Sequence, residues 1–297
     1  MDKVVINEVG PRDGLQNDPT MLTPEERIRL IEALVDAGIC AVEAASFVSP
    51  KAVPKMAGAD EVFARLDLDS AEFSALIPNR KGYDLAKAAG ARNVGVVLSA
   101  TETMNQKNIN MSLDMATGVC REVLSQAKSD GLRGRAYVAV AVECPYEGLV
   151  DANKIEQLAK LMFEAGAVEV IIADTIGAAS PAQVKTLFSR LVNQFGADSL
   201  SAHFHDTRAM ALANAGQALE CGIRKLDASI GGLGGCPFAP GAAGNLATED
   251  LVFMLSQSGY ETGINMEKLL KAVALAENLV QHPIGGRALA YLRKQAA

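Results

Sequence analysis

An α/β chain closed into a (β/α)8 TIM barrel, with a short C-terminal helical extension, is the fold class this sequence predicts. Three observations carry it. Short β-branched runs alternate with Ala/Leu/Glu/Lys-rich stretches of helical spacing along most of the chain. The runs are near-continuous apolar segments rather than strict alternations, as expected of parallel strands covered on both faces. There are eight such units, spaced by roughly 30 residues. A doubly wound open sheet also alternates, but eight similar units filling most of 297 residues favour the closed form.

Taken in order, the first strand is Val4–Glu8, and it runs into the turn "GPRDGLQND". A helix over Pro24–Ala37 follows, with Thr23 as N-cap, Pro24 at the first helical position and Gly38 just past the end. The second, third and fourth strands are Ala41–Ala45, Phe73–Ile77 and Asn93–Leu98, and the fifth is Ala136–Val142. A helix over Asp151–Ala165 is closed by Gly166 and leads to the sixth strand, Glu169–Asp174. Ser180 caps a helix over Pro181–Phe195, and the seventh strand is Leu200–His205. The eighth, Lys225–Ile230, enters "GGLGGCPFAPGAAGN". The barrel domain is expected to span residues 1–260. Two further helical patterns lie within Asn265–Arg293, so residues 261–297 are expected to be a helical appendage packed on the barrel.

Composition bounds the function. Nearly half of the residues are apolar, aromatics are few and Trp is absent, so Ala, Val, Leu and Ile must build the core. A net charge of -7 with no basic run argues against nucleic acid or an anionic membrane as partner. The five cysteines are scattered, odd in number and without a CxxC pair, as expected of reduced thiols. No apolar run approaches the ~18 residues of a membrane span. The run "KVVINEVG" begins three residues in, which leaves no room for a leader peptide, so a cytoplasmic protein is expected.

In such a barrel the chemistry gathers where strands end at their carboxyl side. The first strand ends among Glu8, Arg12, Asp13 and Gln16, the second offers Glu43 and Ser46, and the sixth ends in Asp174 and Thr175. The seventh ends in "HFHD", and the loop after the eighth carries Cys236 and Asn245. Two of the three histidines of the chain, His203 and His205, are therefore one residue apart. Positions i and i+2 of a strand face the same way, roughly 7 Å apart, so both imidazoles can converge on one ion while Phe204 points into the helix layer. Asp13 and Asn245 are candidate oxygen ligands from neighbouring strands, since closure brings the first strand against the eighth. A mixed nitrogen and oxygen set suits Mn²⁺ or Mg²⁺, with Zn²⁺, Co²⁺ and Fe²⁺ as further candidates. Arg12 can stabilise a developing oxyanion, or it can be the structural partner of Glu8, Glu43 or Asp174. The glycine-rich stretch lacks the lysine and spacing of a phosphate loop; it reads as a lid in which the Cys236 thiol can act as acid or base.

The runs "EVGPRDGLQND", "SFVSPKAVP", "KNIN", "ECPYEG", "DTIG", "HFHDT" and "GGLGGCPFAPGAAGNLATED" together resemble the 3-hydroxy-3-methylglutaryl-CoA lyase family, over about residues 4 to 260. That family belongs to a wider group of metal-dependent barrel lyases and synthases. The resemblance implies cleavage between C2 and C3 of a β-hydroxy acyl-CoA bearing a carboxymethyl arm, giving acetyl-CoA and a keto acid such as acetoacetate. It implies Asp13, His203, His205 and Asn245 as metal ligands, Arg12 as the cation beside the thioester enolate, and Cys236 as the proton-transfer thiol. Asp13 or a histidine would take the hydroxyl proton. It further implies Glu43, Asp174, Glu249 and Gln16 as supporting residues, and Ser46, Asn108 and Thr175 as substrate contacts. An acyl-CoA substrate, a divalent cation and a homodimer are the expected partners.

The chain also departs from the family pattern. Ile171, Ile172 and Ala173 stand before "DTIG" where Ser-Leu-Gly is usual, Ala52 replaces a Trp, and Ala209 occupies a position often held by glycine. The loss of a serine at Ile171 raises the expectation of a larger or less polar branch at C3. Other readings are a condensing synthase, usually longer with a regulatory domain, and a carboxyltransferase, which would want a lysine at a strand end. A non-catalytic barrel would leave Arg12, the histidine pair, Cys236 and Asn245 as coincidence.

Overall fold

The computed structural model describes residues 2–235 and 244–295. Eight parallel strands close into a barrel: β1 (Val5–Glu8), β2 (Ala41–Ser46), β3 (Glu72–Leu76), β4 (Asn93–Ser99), β5 (Arg133–Ala139), β6 (Ala167–Asp174), β7 (Leu200–Phe204) and β8 (Lys225–Ala228). Each strand pairs with its sequence neighbours, and β1 closes on β8 with Val5 opposite Lys225 and Glu8 opposite Ala228. The predicted fold class and all eight strands are therefore present. The fifth strand differs most from expectation. It starts and ends three residues early, because Val140 turns left-handed (φ 51°) and its N–H donates to Thr175 Oγ1 instead of the sheet.

The helices form where capping chemistry directs them. Thr23 and Glu26 make a reciprocal capping box on α1 (Pro24–Asp36), and Ser180 and Gln183 make another on α7 (Pro181–Phe195). Asp151 caps α6 (Ala152–Ala165), which ends on left-handed Gly166. The outer core lies between strands and helices and holds Val94, Val96, Val138, Val170, Ile172 and Leu200. Phe204 packs there on Phe188 of α7, ring centroids 6.3 Å apart, which is the outward direction expected of it.

The other strand face is polar. Glu169 of β6 receives hydrogen bonds from Arg135 of β5 at 2.8 Å, Ser201 of β7 at 2.5 Å and Lys225 of β8 at 3.1 Å. A side chain can span from β6 to β8 only through the barrel interior, so these residues fill its amino-terminal half. Sequence reasoning overlooked them, although the signal was present: polar residues recur every second position in Arg135–Tyr137, Ser201–His203–His205 and Lys225–Asp227–Ser229.

After α9 (Thr248–Gln257), the helix α10 (Met266–Val280) packs against α1, with Asn265 N bonded to Ala37 O and Lys268 paired to Asp36. Residues 281–288 then cross back over the carboxyl end of the barrel before α11 (Leu289–Gln295). Gly285 N bonds Gly231 O, Gly286 N bonds Glu249, and Arg287 N and Ala288 N bond Asp250. The appendage is thus pinned to the end of the barrel where the predicted site residues lie.

Candidate active site

The turn after β1 sets the geometry. Residues Gly10–Gly14 form one wide helical turn in which the amides of Arg12, Asp13 and Gly14 all bond Val9 O. Only glycine fits at either end: a Cβ on Gly10 would lie 2.6 Å from Glu8 Oε1, and one on Gly14 2.9 Å from Leu233 and Ser229. Pro11 occupies the first turn, where its missing N–H costs nothing. Glu8 fastens this turn to the far side of the closure. It accepts from Gly10 N and Ile230 N at 2.8 Å each and from Thr248 Oγ1 at 2.6 Å. Burial pushes its carboxyl up to about 7 despite those donors.

Asp13, His203 and His205 converge, with one ligand atom from each lying within 4.8 Å of the others. The segment after the glycine-rich stretch brings Asn245 to them by pairing antiparallel with the end of β7: His205 bridges Asn245, Leu246 N bonds Phe204 O, and Asp206 N bonds Gly244 O. Asn245 Nδ2 donates to Asp13 Oδ2 at 2.8 Å and to Leu233 O at 3.0 Å, whereas its Oδ1 is buried and unpartnered. A buried carbonyl oxygen left without a donor costs roughly 1–3 kcal/mol. A carboxylate, two imidazoles and such an oxygen together fit a divalent cation.

Arg12 resolves to Glu43 among its three suggested partners. Its Nε donates to Glu43 Oε2 at 2.5 Å and its Nη1 to Asp13 Oδ1 at 2.9 Å, all within a nearly closed site. Burial works against ionised Asp13, but Arg12 above all, then His203, His205 and the Asn245 amide, hold its carboxyl at about 2. Burial raises Glu43 beyond what Arg12 offsets. Burial also opposes charge on His203, yet the hydrogen bond and charge of Asp227 and the charge of Asp13 raise it overall.

Each remaining predicted residue has its own setting. Glu249 bonds Gly231 N and Gly286 N, tying the end of β8 to the 281–288 crossing. Asp174 caps its own loop through Ala178 N and Ala179 N. Thr175 holds Val140 N, and Ser46 Oγ reaches Leu76 O at 3.3 Å. Gln16 is half-buried in the turn, and Asn108 is exposed on α4 (Glu102–Ile109). Cys236 lies outside the described residues. Two residues went unremarked in the sequence: Asp227, which accepts from His203 Nδ1 at 3.0 Å, and Asn7, whose Nδ2 donates to Asp227 at 2.8 Å. A cavity of about 750 Å³ opens beside the site between Asn17–Pro19, Gly231–Gly235 and His282–Gly285.

With this geometry in view, a family model described as HMGL-like matches residues 3–276. The chain is 43% identical over 288 residues to the hydroxymethylglutaryl-CoA lyase of Bacillus subtilis, covering 97% of this chain and 96% of that one. The crystal structure of a Bacillus subtilis HMG-CoA lyase superposes with a TM-score of 0.95 at 42% identity over 99% of both chains. An Acinetobacter baumannii HMG-CoA lyase, solved with coenzyme A and 3-methylmalate, superposes at 0.93 with 37% identity over 97% of this chain and 95% of that chain.

Proposed function

This chain belongs to the HMGL-like family, and from that premise we propose that it is a hydroxymethylglutaryl-CoA lyase, cleaving 3-hydroxy-3-methylglutaryl-CoA to acetyl-CoA and acetoacetate. The observation that carries the reading is the largely buried cluster of Arg12, Asp13, His203, His205 and Asn245 at the carboxyl end of the barrel. Asp13, His203, His205 and Asn245 would hold a divalent cation, read as magnesium or manganese from the mixed donor set. When bound, that ion supplies Lewis acidity toward the oxygens of the substrate.

The residues of the chain do the rest. The C3 hydroxyl gives its proton to a base within the Asp13, His203 and His205 trio. The O–H pair then becomes the carbonyl of acetoacetate as the C2–C3 bond breaks. The released pair moves onto the thioester, and Arg12, fixed by Glu43 on one side and Asp13 on the other, places its charge against that oxygen. Protonation at C2 completes acetyl-CoA. We assign that proton to Cys236 from its place in the family-like motif. The hydroxymethylglutaryl-CoA lyase names of relatives at 43% identity support the methyl-branched substrate over a larger branch. The protein is further read as a cytoplasmic homodimer, two-fold dimers being the commonest closed assembly.

The test is a coupled assay of acetyl-CoA release from 3-hydroxy-3-methylglutaryl-CoA with Mg²⁺, with Mn²⁺ and with chelator. Turnover on the order of 10 per second with metal, abolished by chelation, is expected. Silence in protein that binds Mn²⁺ would overturn the substrate, and activity that survives chelation would overturn the metal centre.

A further inference from the structure

His203 is held from behind by a chain of side chains that the reaction does not consume. Asp227 lies opposite both Asn7 and His203 in the parallel ladders of β1, β8 and β7, so all three stand at one level of the barrel interior. Asp227 Oδ2 meets His203 Nδ1 at 3.0 Å, and Asp227 Oδ1 accepts from Asn7 Nδ2 at 2.8 Å. The Tyr137 ring stands edge-on to the His203 ring, at 6.3 Å and 84°. Asn7, Asp227 and Tyr137 are all buried.

A carboxylate oxygen accepts, so this contact calls for the proton on His203 Nδ1, and in the neutral ring Nε2 is then the bare nitrogen. With Nδ1 engaged and the ring walled by Tyr137, Nε2 is the atom left to face Asp13 and His205. We propose that Asp227, itself oriented by Asn7, is a positioning residue that locks His203 in its Nδ1–H tautomer and aims Nε2 at the cation. This rests on the reading of Asp13, His203 and His205 as ligands. A residue whose only task was barrel closure would have no need of a buried charge. Apolar side chains already fill the matching outward positions of these strands at Ile6, Ala202 and Leu226. A carboxylate behind a ligating histidine raises its basicity and fixes its direction.

The orphan Asn7 Oδ1 makes one variant informative. In Asp227→Asn, the new amide can accept from His203 through its oxygen and donate to Asn7 Oδ1 once the Asn7 amide turns over. That variant keeps the geometry and loses only the charge. Asp227→Ala loses both.

The experiment measures Mn²⁺ affinity by calorimetry on wild type, Asp227→Asn, Asp227→Ala and His205→Ala. It is paired with ¹⁵N spectra of metal-free protein, in which three histidines are readily assigned. The expected result is a loss of roughly 10- to 100-fold for Asp227→Ala and a smaller one for Asp227→Asn. Wild-type His203 should show a protonated Nδ1, retained in Asp227→Asn and lost in Asp227→Ala. Stoichiometry reports the folded fraction, so a variant that merely unfolds loses sites rather than affinity. Asp227→Ala binding within twofold of wild type, or an Nε2–H tautomer in wild type, overturns the proposal while leaving the metal centre standing. Binding that is also indifferent to His205→Ala overturns the metal centre itself.

Discussion

Arg12 shows how one side chain serves two demands. Its guanidinium pairs with buried Glu43 and with half-buried Asp13. Arg12→Met should therefore cut kcat by roughly 10²- to 10³-fold through loss of the cation at the developing oxyanion. The same change leaves Glu43 buried without a partner, a cost of about 3 kcal/mol. Steady-state kinetics and urea unfolding read the two effects separately, and equal Mn²⁺ affinity would show that the ligand set survives. Ala209 is a smaller case. The sequence marked it as a residue where glycine is usual, and its backbone is left-handed at φ 58°. Ala209→Gly should relieve that strain and stabilise the fold by about 0.5–1 kcal/mol in chemical denaturation, with little effect on turnover.

At the scale of elements, the crossing at residues 281–288 matters more than its length suggests. Four backbone amides of this segment reach Gly231, Glu249 and Asp250, so the C-terminal helices are coupled to the loop that follows β8. Gly286 is the tight point, since a Cβ there would sit 2.3 Å from Asp250 Oδ1. Gly286→Ala should displace the crossing and cost about 1–3 kcal/mol. Hydrogen exchange should speed up across residues 281–288 while β-strand amides stay protected. Unchanged exchange there would mean that the crossing is held by α10 and α11 alone. The helix caps at Thr23 and Ser180, by contrast, were readable in advance, because a cap is a contact between residues two or three positions apart, whereas Asp151, read as the first helical residue, turns out to be the cap.

For the whole molecule, the barrel is divided between a catalytic end and a charged plug. Glu169 anchors the plug through Arg135 and Lys225. Burial works to raise its carboxyl, but Arg135 and then Lys225 bring it down from 4.5 to about 2. A depressed acid stabilises the fold above its unfolded value, and that contribution disappears as pH falls from 4.5 through 2. The amount at stake is about 3 kcal/mol. Wild-type unfolding free energy should fall steeply across that window. Glu169→Gln should start lower at pH 7 and show a shallower slope below pH 4.5; parallel curves would remove Glu169 from the account.

The sequence alone determined the periodic features: eight alternating units, the caps, the two-residue spacing of His203 and His205, and the glycines that make the turn around Arg12 and Asp13 possible. Each depends on neighbours within a few positions, where backbone geometry and side-chain type settle the outcome. Only the closed tertiary structure decided the pairings. Arg12 met Glu43 rather than Glu8 or Asp174, Glu249 became the fastening of the C-terminal crossing, and Asp227 joined Asn7 across 220 residues of chain. Such contacts depend on which strands become neighbours and at what register. The strand pairings of the closed barrel set both, and no local pattern encodes them.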